Sequence, residues 1–235
     1  MKKKLIGILF TFILACIITS CGSNPQKSDN KTMSDTVDTL DKEIQYEIYK
    51  IKDVGYISIP NNMELQTGTA KKIAEDEIKQ LSYKYHYLVA DDRVAFRQKG
   101  ISDDISKNNS LYAGITIQTF FGKCMKQTDD YSFTPEKLSE IDALFKQQVD
   151  ALSNKAGFLV IWAGTSIVKI NNSYAIKNLY IRKMDNEPNI SVNMYQFQNN
   201  DRLHQIILSY KQEDSTIWKP LFSEVINSFN LTNIK

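Results

Sequence analysis

The sequence predicts an α+β fold in one globular domain, and three segments carry this prediction. Residues 166–210 alternate short apolar runs with turns rich in Asn and Asp, a pattern typical of an antiparallel β-meander. Residues 134–156 and 218–229 each carry an apolar stripe at helical spacing. No internal repeat and no second linker interrupts this succession, so we expect a single domain over residues 43–235.

The N-terminal segment has the composition of a signal peptide. Lys2, Lys3 and Lys4 precede an apolar run that ends at Ile18 and is shorter than the roughly 20 residues that span a bilayer. The run closes in Ile18-Thr19-Ser20-Cys21, which resembles the lipobox of bacterial lipoproteins. That resemblance implies removal of residues 1–20, a diacylglycerol on the Cys21 thiol and usually a further acyl chain, such as palmitate, on its amino group.

Two alternatives to this anchor stay open. Cys16 ends a weaker match to the same motif, and cleavage there would leave Ile17 and Ile18 in the mature chain. The chain could also be an ordinary secreted protein in which Cys21 is incidental. With Cys16 removed and Cys21 acylated, Cys124 has no intramolecular disulfide partner, so the core itself must hold the fold.

Charge and composition change once the signal peptide is removed. The precursor has 29 basic and 27 acidic residues; the signal peptide holds three lysines and no acid, which leaves 26 against 27. This balance, with no basic stripe, argues against nucleic acid as a partner. Residues 21–42 are polar and poor in apolar side chains, so we expect a flexible tether there.

The first half of the domain predicts strands and one helix. Ile44, Tyr46 and Ile48 alternate with polar residues, and a second strand ends at Pro60. The remaining predicted elements are a helix over residues 70–81, strands over 94–96 and 111–121, and a polar loop over 103–109.

The second half of the domain carries clearer sequence signals for its helices and strands. Thr134 can cap the middle helix, with Pro135 in its first position and Glu136 at the positive end of its dipole. The apolar run over residues 158–162 predicts a strand covered on both faces. In the last helix the polar face carries a single Lys and a Glu, so we expect this helix to close the core rather than lie on a membrane. Pro220 predicts a start near Lys219 or an irregular first turn.

No pattern predicts a catalytic, cofactor or metal site. His86 and His204 are the only histidines and neither has ligand spacing, so we expect His204 to be a polar strand residue. Adjacent acidic pairs such as Asp91-Asp92 point to opposite sides of an extended chain and form no dyad. The glycines are scattered and form no phosphate loop.

Three tyrosines at alternate positions predict a surface that binds a partner. Tyr83, Tyr85 and Tyr87 would share one face of an extended segment, and tyrosine stripes serve as platforms for proteins or sugars. The alternative is a half-buried face packed under a loop.

The order of elements resembles the PsbP-like fold. The residues that suggest it are Gly55-Tyr56-Ile57-Ser58-Ile59-Pro60, Arg97-Gln98-Lys99-Gly100, residues 195–202, Trp218-Lys219-Pro220 and Asn227-Ser228-Phe229. The resemblance covers most of residues 43–231 and is nearest in pattern to uncharacterised lipoproteins of Bacteroidetes, although an insertion around residues 70–88 departs from the compact members. It implies an antiparallel sheet with helices on both faces, in a family whose members bind proteins or assist assemblies.

These observations predict a non-catalytic binding or assembly module in the bacterial cell envelope. Cys21 would anchor it in the lipid bilayer, the outer membrane being favoured over the inner, with the domain in the periplasm or at the cell surface. The partner would be an envelope protein or a glycan. The alternative is a hydrolase or small-ligand carrier whose site is assembled from distant residues.

Overall fold

The computed structural model describes residues 44–67, 88–89, 93–100, 113–121, 134–156, 159–183, 188–200 and 202–232. The signal peptide, the tether and the helix predicted over residues 70–81 lie outside these ranges and stay predictions. The described elements are β1 (Tyr46–Ile51), β2 (Gly55–Pro60), β3 (Met63–Leu65), β4 (Leu88–Val89), β5 (Val94–Gln98), β6 (Ala113–Phe121), α1 (Pro135–Ala156), β7 (Leu159–Ile170), β8 (Ser173–Lys183), β9 (Ile190–Asn199), β10 (Arg202–Lys211), α2 (Ser215–Asn227) and β11 (Asn230–Leu231).

The strands form two antiparallel sheets, which confirms the predicted α+β class. The large sheet has the order β3-β5-β6-β10-β9-β8-β7, with β4 also paired to β6. The small sheet has the order β1-β2-β11 and was not predicted as a separate sheet. Its third strand is only two residues long and pairs with the start of β2, where Asn230 lies opposite Tyr56.

The two helices cover opposite faces of the large sheet, as the resemblance implied. Successive strand residues point to opposite faces, and β10 shows the division. Ile206 packs in the core that contains α2, whereas Ile207 packs in the core that contains α1. The small sheet adds Ile57 and Ile59 to the α2 side, so that face is covered by a helix and a sheet together.

Two of the three predicted hairpin turns are confirmed, and their sequence explains them; the third, over residues 185–189, lies largely outside the described residues. Ile170 pairs with Ser173 and Asn199 pairs with Arg202, so each hairpin has a two-residue loop. Asn171 and Asn200 take φ values of 51° and 58°, a left-handed conformation that Asn tolerates well. The Asn171 amide also donates to the Phe229 carbonyl at 2.6 Å, which ties this turn to the end of α2.

Both helices contain the predicted stripe, with one correction at a terminus. The Thr134 hydroxyl accepts a hydrogen bond from the Lys137 amide at 3.4 Å, so the predicted cap is present. The last helix begins at Ser215, after a 3-10 turn over Gln212–Asp214, rather than near Lys219. Pro220 lies inside this helix, where it lacks the N–H that would otherwise bond to the Thr216 carbonyl.

Candidate functional site

The site residues predicted from the sequence lie outside the described ranges. This holds for the anchor Cys21 and for the tyrosine stripe Tyr83, Tyr85 and Tyr87, as well as for His86 and Cys124. Their roles stay predictions.

The described part of the chain exposes an apolar surface at the outer end of the large sheet. Leu159 and Ile161 on the edge strand β7 are 65% and 53% exposed. Ile161 pairs directly with Ile181 on β8, and Leu179 lies on the same face because it is two residues away on that strand. We call Leu159, Ile161, Leu179 and Ile181 the β7 edge surface.

This exposure corrects the prediction that residues 158–162 form a strand covered on both faces. Helix α1 covers only the face of β7 that carries Val160 and Trp162, which pack against the α1 core. The strand lies at the end of the sheet, and an apolar run cannot by itself distinguish an edge strand from a central one. The opposite face of the run is therefore open.

The middle of β7 is protected from a further strand, whereas in the described part of the chain no strand pairs with the outer side of its first residues. A register shift lies between Trp162 and Gly164, and bulges of this kind interrupt edge pairing. On either side of this shift, Asp142 Oδ1 of α1 accepts hydrogen bonds from the Trp162 indole at 2.9 Å and from the Thr165 backbone N–H at 2.6 Å. In the described residues, β7 pairs with β8 alone.

Lysines flank the β7 edge surface. Lys177 and Lys183 alternate with Leu179 and Ile181 along β8 and so point to the same face. Partial burial lowers the pKa of Lys177, and the nearby ammonium of Lys219 lowers it further. The surface is therefore apolar with a positive margin.

The small sheet has a second exposed apolar face. Ile48 is 78% exposed, Tyr56 is 45% exposed and Tyr46 is 37% exposed. Lys50 lies opposite Tyr56 in the strand register, and its Nζ is 6.0 Å from the centre of that ring. We call Tyr46, Ile48, Lys50 and Tyr56 the small-sheet outer face.

Polar side chains also form a buried row across the α1 side of the sheet. Gln205 lies directly opposite Gln118 on β6 and Gln196 on β9, and all three are at most 3% exposed. The Gln205 amide donates to the Met194 sulfur at 2.9 Å. Among the described residues, neither end of the Gln118 amide has a hydrogen-bond partner. This row is a feature of the interior and presents no polar group to solvent as folded.

His204 is a buried histidine in a hydrogen-bonded cluster. Its Nε2 lies 3.1 Å from the Asn199 amide nitrogen, which can only donate, so Nε2 is the acceptor. Its Nδ1 therefore carries the proton and donates to the Thr119 hydroxyl at 3.0 Å. Burial and the positive charge of Arg202 lower the pKa of His204 to about 4. The ring is a neutral structural group, consistent with the predicted polar strand position.

The described residues contain no group of three or more His, Cys, Asp and Glu side chains arranged to hold a metal ion. None of their helices is both long and apolar enough to cross a membrane.

Three solved structures are similar to this chain over most of its length. The solution structure of cyanobacterial PsbP (CyanoP) from Synechocystis sp. PCC 6803 is similar with a TM-score of 0.50 at 13% identity, over 80% of this chain and 92% of that protein. The Ran-binding protein Mog1p of Saccharomyces cerevisiae gives a TM-score of 0.43 at 10% identity, over 81% and 97% of the two chains. PA94 of Pseudomonas aeruginosa, of unknown function, gives 0.38 at 7% identity, over 80% and 99%.

The likeness to CyanoP shows a PsbP-like fold, and at 13% identity it shows the fold alone. No protein-family model and no curated protein matches the chain.

Proposed function

We propose that the chain is a membrane-tethered, non-catalytic binding module of the bacterial cell envelope, and that its partner binds at the β7 edge surface. The lipobox at Cys21 and the polar segment after it support the tether. The resemblance to Bacteroidetes lipoproteins agrees with an outer-membrane anchor and a domain in the periplasm or at the cell surface.

The exposure of Leu159 and Ile161 at the end of the large sheet is the observation that carries the proposal. Large apolar side chains grouped on one exposed surface mark binding sites more often than scattered ones do. An edge strand can also accept an added strand, in which backbone hydrogen bonds give affinity and alternate side chains give specificity.

The chemistry of the surface indicates the kind of partner. Leu159, Ile161 and Ile181 offer apolar contacts, while Lys177 and Lys183 favour negative charge beside them. We therefore propose an extended segment of an envelope protein that combines apolar and acidic residues. An interaction of this kind needs no catalytic group, in keeping with a protein that acts by binding.

Site-specific photo-crosslinking in intact cells tests the proposal. A benzoylphenylalanine at position 161 should give a discrete adduct with another envelope protein upon illumination. Position 65 is the matched control, because Leu65 is 41% exposed on β3, at the opposite edge of the same sheet. The same adducts at both positions, or none at position 161, would contradict the proposal. A crosslinked adduct of two copies of this chain would show that the surface mediates self-association, and would contradict a separate partner.

A further inference from the structure

We infer that the small-sheet outer face lies against the membrane surface and sets the orientation of the domain. This inference rests on the proposed anchoring through Cys21. It adds a second contact with the lipid, made by folded residues, and assigns a role to an exposed face that the partner-binding proposal does not use.

The geometry of the small sheet gathers the exposed residues on one side. Tyr46, Ile48 and Lys50 alternate along β1, so they share a face of the strand. In the strand register, Ile48 lies opposite Ser58 and Lys50 lies opposite Tyr56. Tyr49 and Ile51 point the other way, into the core beneath α2. The small-sheet outer face is therefore the side of the sheet turned away from the core.

The chemistry of this face fits the boundary between lipid headgroups and acyl chains. Tyr46 and Tyr56 bring aromatic rings with polar ends, which favour the headgroup level of a bilayer. Ile48, at 78% exposed, is the side chain placed to enter the acyl boundary. The Lys50 ammonium, beside the Tyr56 ring, can reach anionic headgroups while its stem stays on apolar surface.

The path of the chain favours the membrane as the partner of the small-sheet outer face. The described domain begins at Ile44, and β1 follows directly. The tether predicted from composition between Cys21 and Ile44 would span at most about 80 Å when fully extended and would average roughly 25 Å as a flexible chain. Such a tether keeps β1 near the bilayer at a high effective concentration, so that even a weak contact is populated.

The β7 edge surface stays clear of the bilayer in this orientation. The Asn171 turn contacts Phe229, the residue before the small-sheet strand β11. Leu159 lies at the opposite end of β7, about 35–40 Å from that turn at the usual rise of a strand. The face proposed for the membrane and the surface proposed for the partner are therefore well separated.

Fluorescence quenching in vesicles tests the inference. The full mature chain, lipidated at Cys21 and carrying Cys124→Ser, is reconstituted in vesicles of phosphatidylethanolamine and phosphatidylglycerol. A nitrobenzoxadiazole label is placed at Ile48→Cys or, as the exposed control, at Leu159→Cys. Both native side chains are more than half exposed, so neither change disturbs the core. Lipids that carry a nitroxide should quench the label at position 48 at least twofold more than the label at position 159.

The outcomes separate this inference from the proposed anchor. Equal quenching at the two positions, in a chain that sediments with the vesicles, would overturn the membrane-facing orientation and leave the anchor intact. Self-quenching at position 48 that does not depend on the lipid would identify a second copy of the chain as the occupant, and would also overturn it. Membrane fractionation of Cys21→Ala and Cys16→Ala tests the anchor itself. If wild type and Cys21→Ala are equally soluble, the anchor fails and this inference fails with it.

Discussion

Replacing Phe222 or Phe229 with alanine should lower the free energy of unfolding by about 3–5 kcal/mol. Both rings are nearly fully buried, at 3% and 1% exposure. Phe222 contacts Tyr210 with ring centres 5.8 Å apart, and Phe229 contacts Phe197 at 4.8 Å. Each substitution removes buried aromatic contacts and leaves a cavity that the surrounding structure fills only in part.

Urea or thermal unfolding measures this effect, and Ile217→Ala is the control on the same helix. Ile217 is 36% exposed, so its truncation should change stability much less. A loss of the predicted size is a large part of the 5–15 kcal/mol that stabilises a typical domain. If both Phe variants unfold together with Ile217→Ala while membrane association falls, α2 is a docking element and its assignment to the core is wrong.

Lowering the pH from about 6.5 to about 4 should destabilise the domain through His204. In the unfolded chain His204 titrates near pH 6.5, whereas burial and Arg202 lower its pKa in the folded state to about 4. Between these values the unfolded state binds more protons, so stability falls as the pH falls. The loss is on the order of 3 kcal/mol from this residue, and below pH 4 it adds nothing more.

The variant His204→Gln isolates the histidine from the carboxylates, which titrate in both proteins. A glutamine amide can still accept from Asn199 and donate to Thr119, but it does not titrate. The difference in unfolding free energy between the two proteins, measured against pH, should therefore change over this window and be flat above it. A constant difference from pH 7 down to pH 4 would show that His204 keeps an ordinary pKa in the fold.

Local chemistry made the meander and the start of α1 predictable. Asn171 and Asn200 mark their turns because Asn tolerates the left-handed backbone that a two-residue hairpin needs. Thr134 and Pro135 mark the start of α1 because one caps the helix and the other lacks an N–H that would need a partner. The stripe around Phe222 predicted a buried face because its period matches a helix.

Features set by long-range pairing could not be predicted. The strand β11 is two residues long, and its pairing with β2 spans most of the domain. The row of Gln118, Gln205 and Gln196 exists only through the register of three strands. Leu159 and Ile161 are exposed because β7 is last in the sheet and α1 covers only its other face. An apolar run does not show where its strand will lie in the sheet.

Most directly, the central claim is tested by the size of the complex that carries this chain in detergent-solubilised envelopes. Wild type and Leu65→Asp should elute in an assembly larger than the lipidated monomer. The double variant Leu159→Asp with Ile161→Asp should elute as the monomer, because two carboxylates oppose apolar contact at the β7 edge surface. It should unfold at the wild-type temperature, since both positions are exposed. Elution of the folded double variant together with wild type would contradict the claim that the partner binds there.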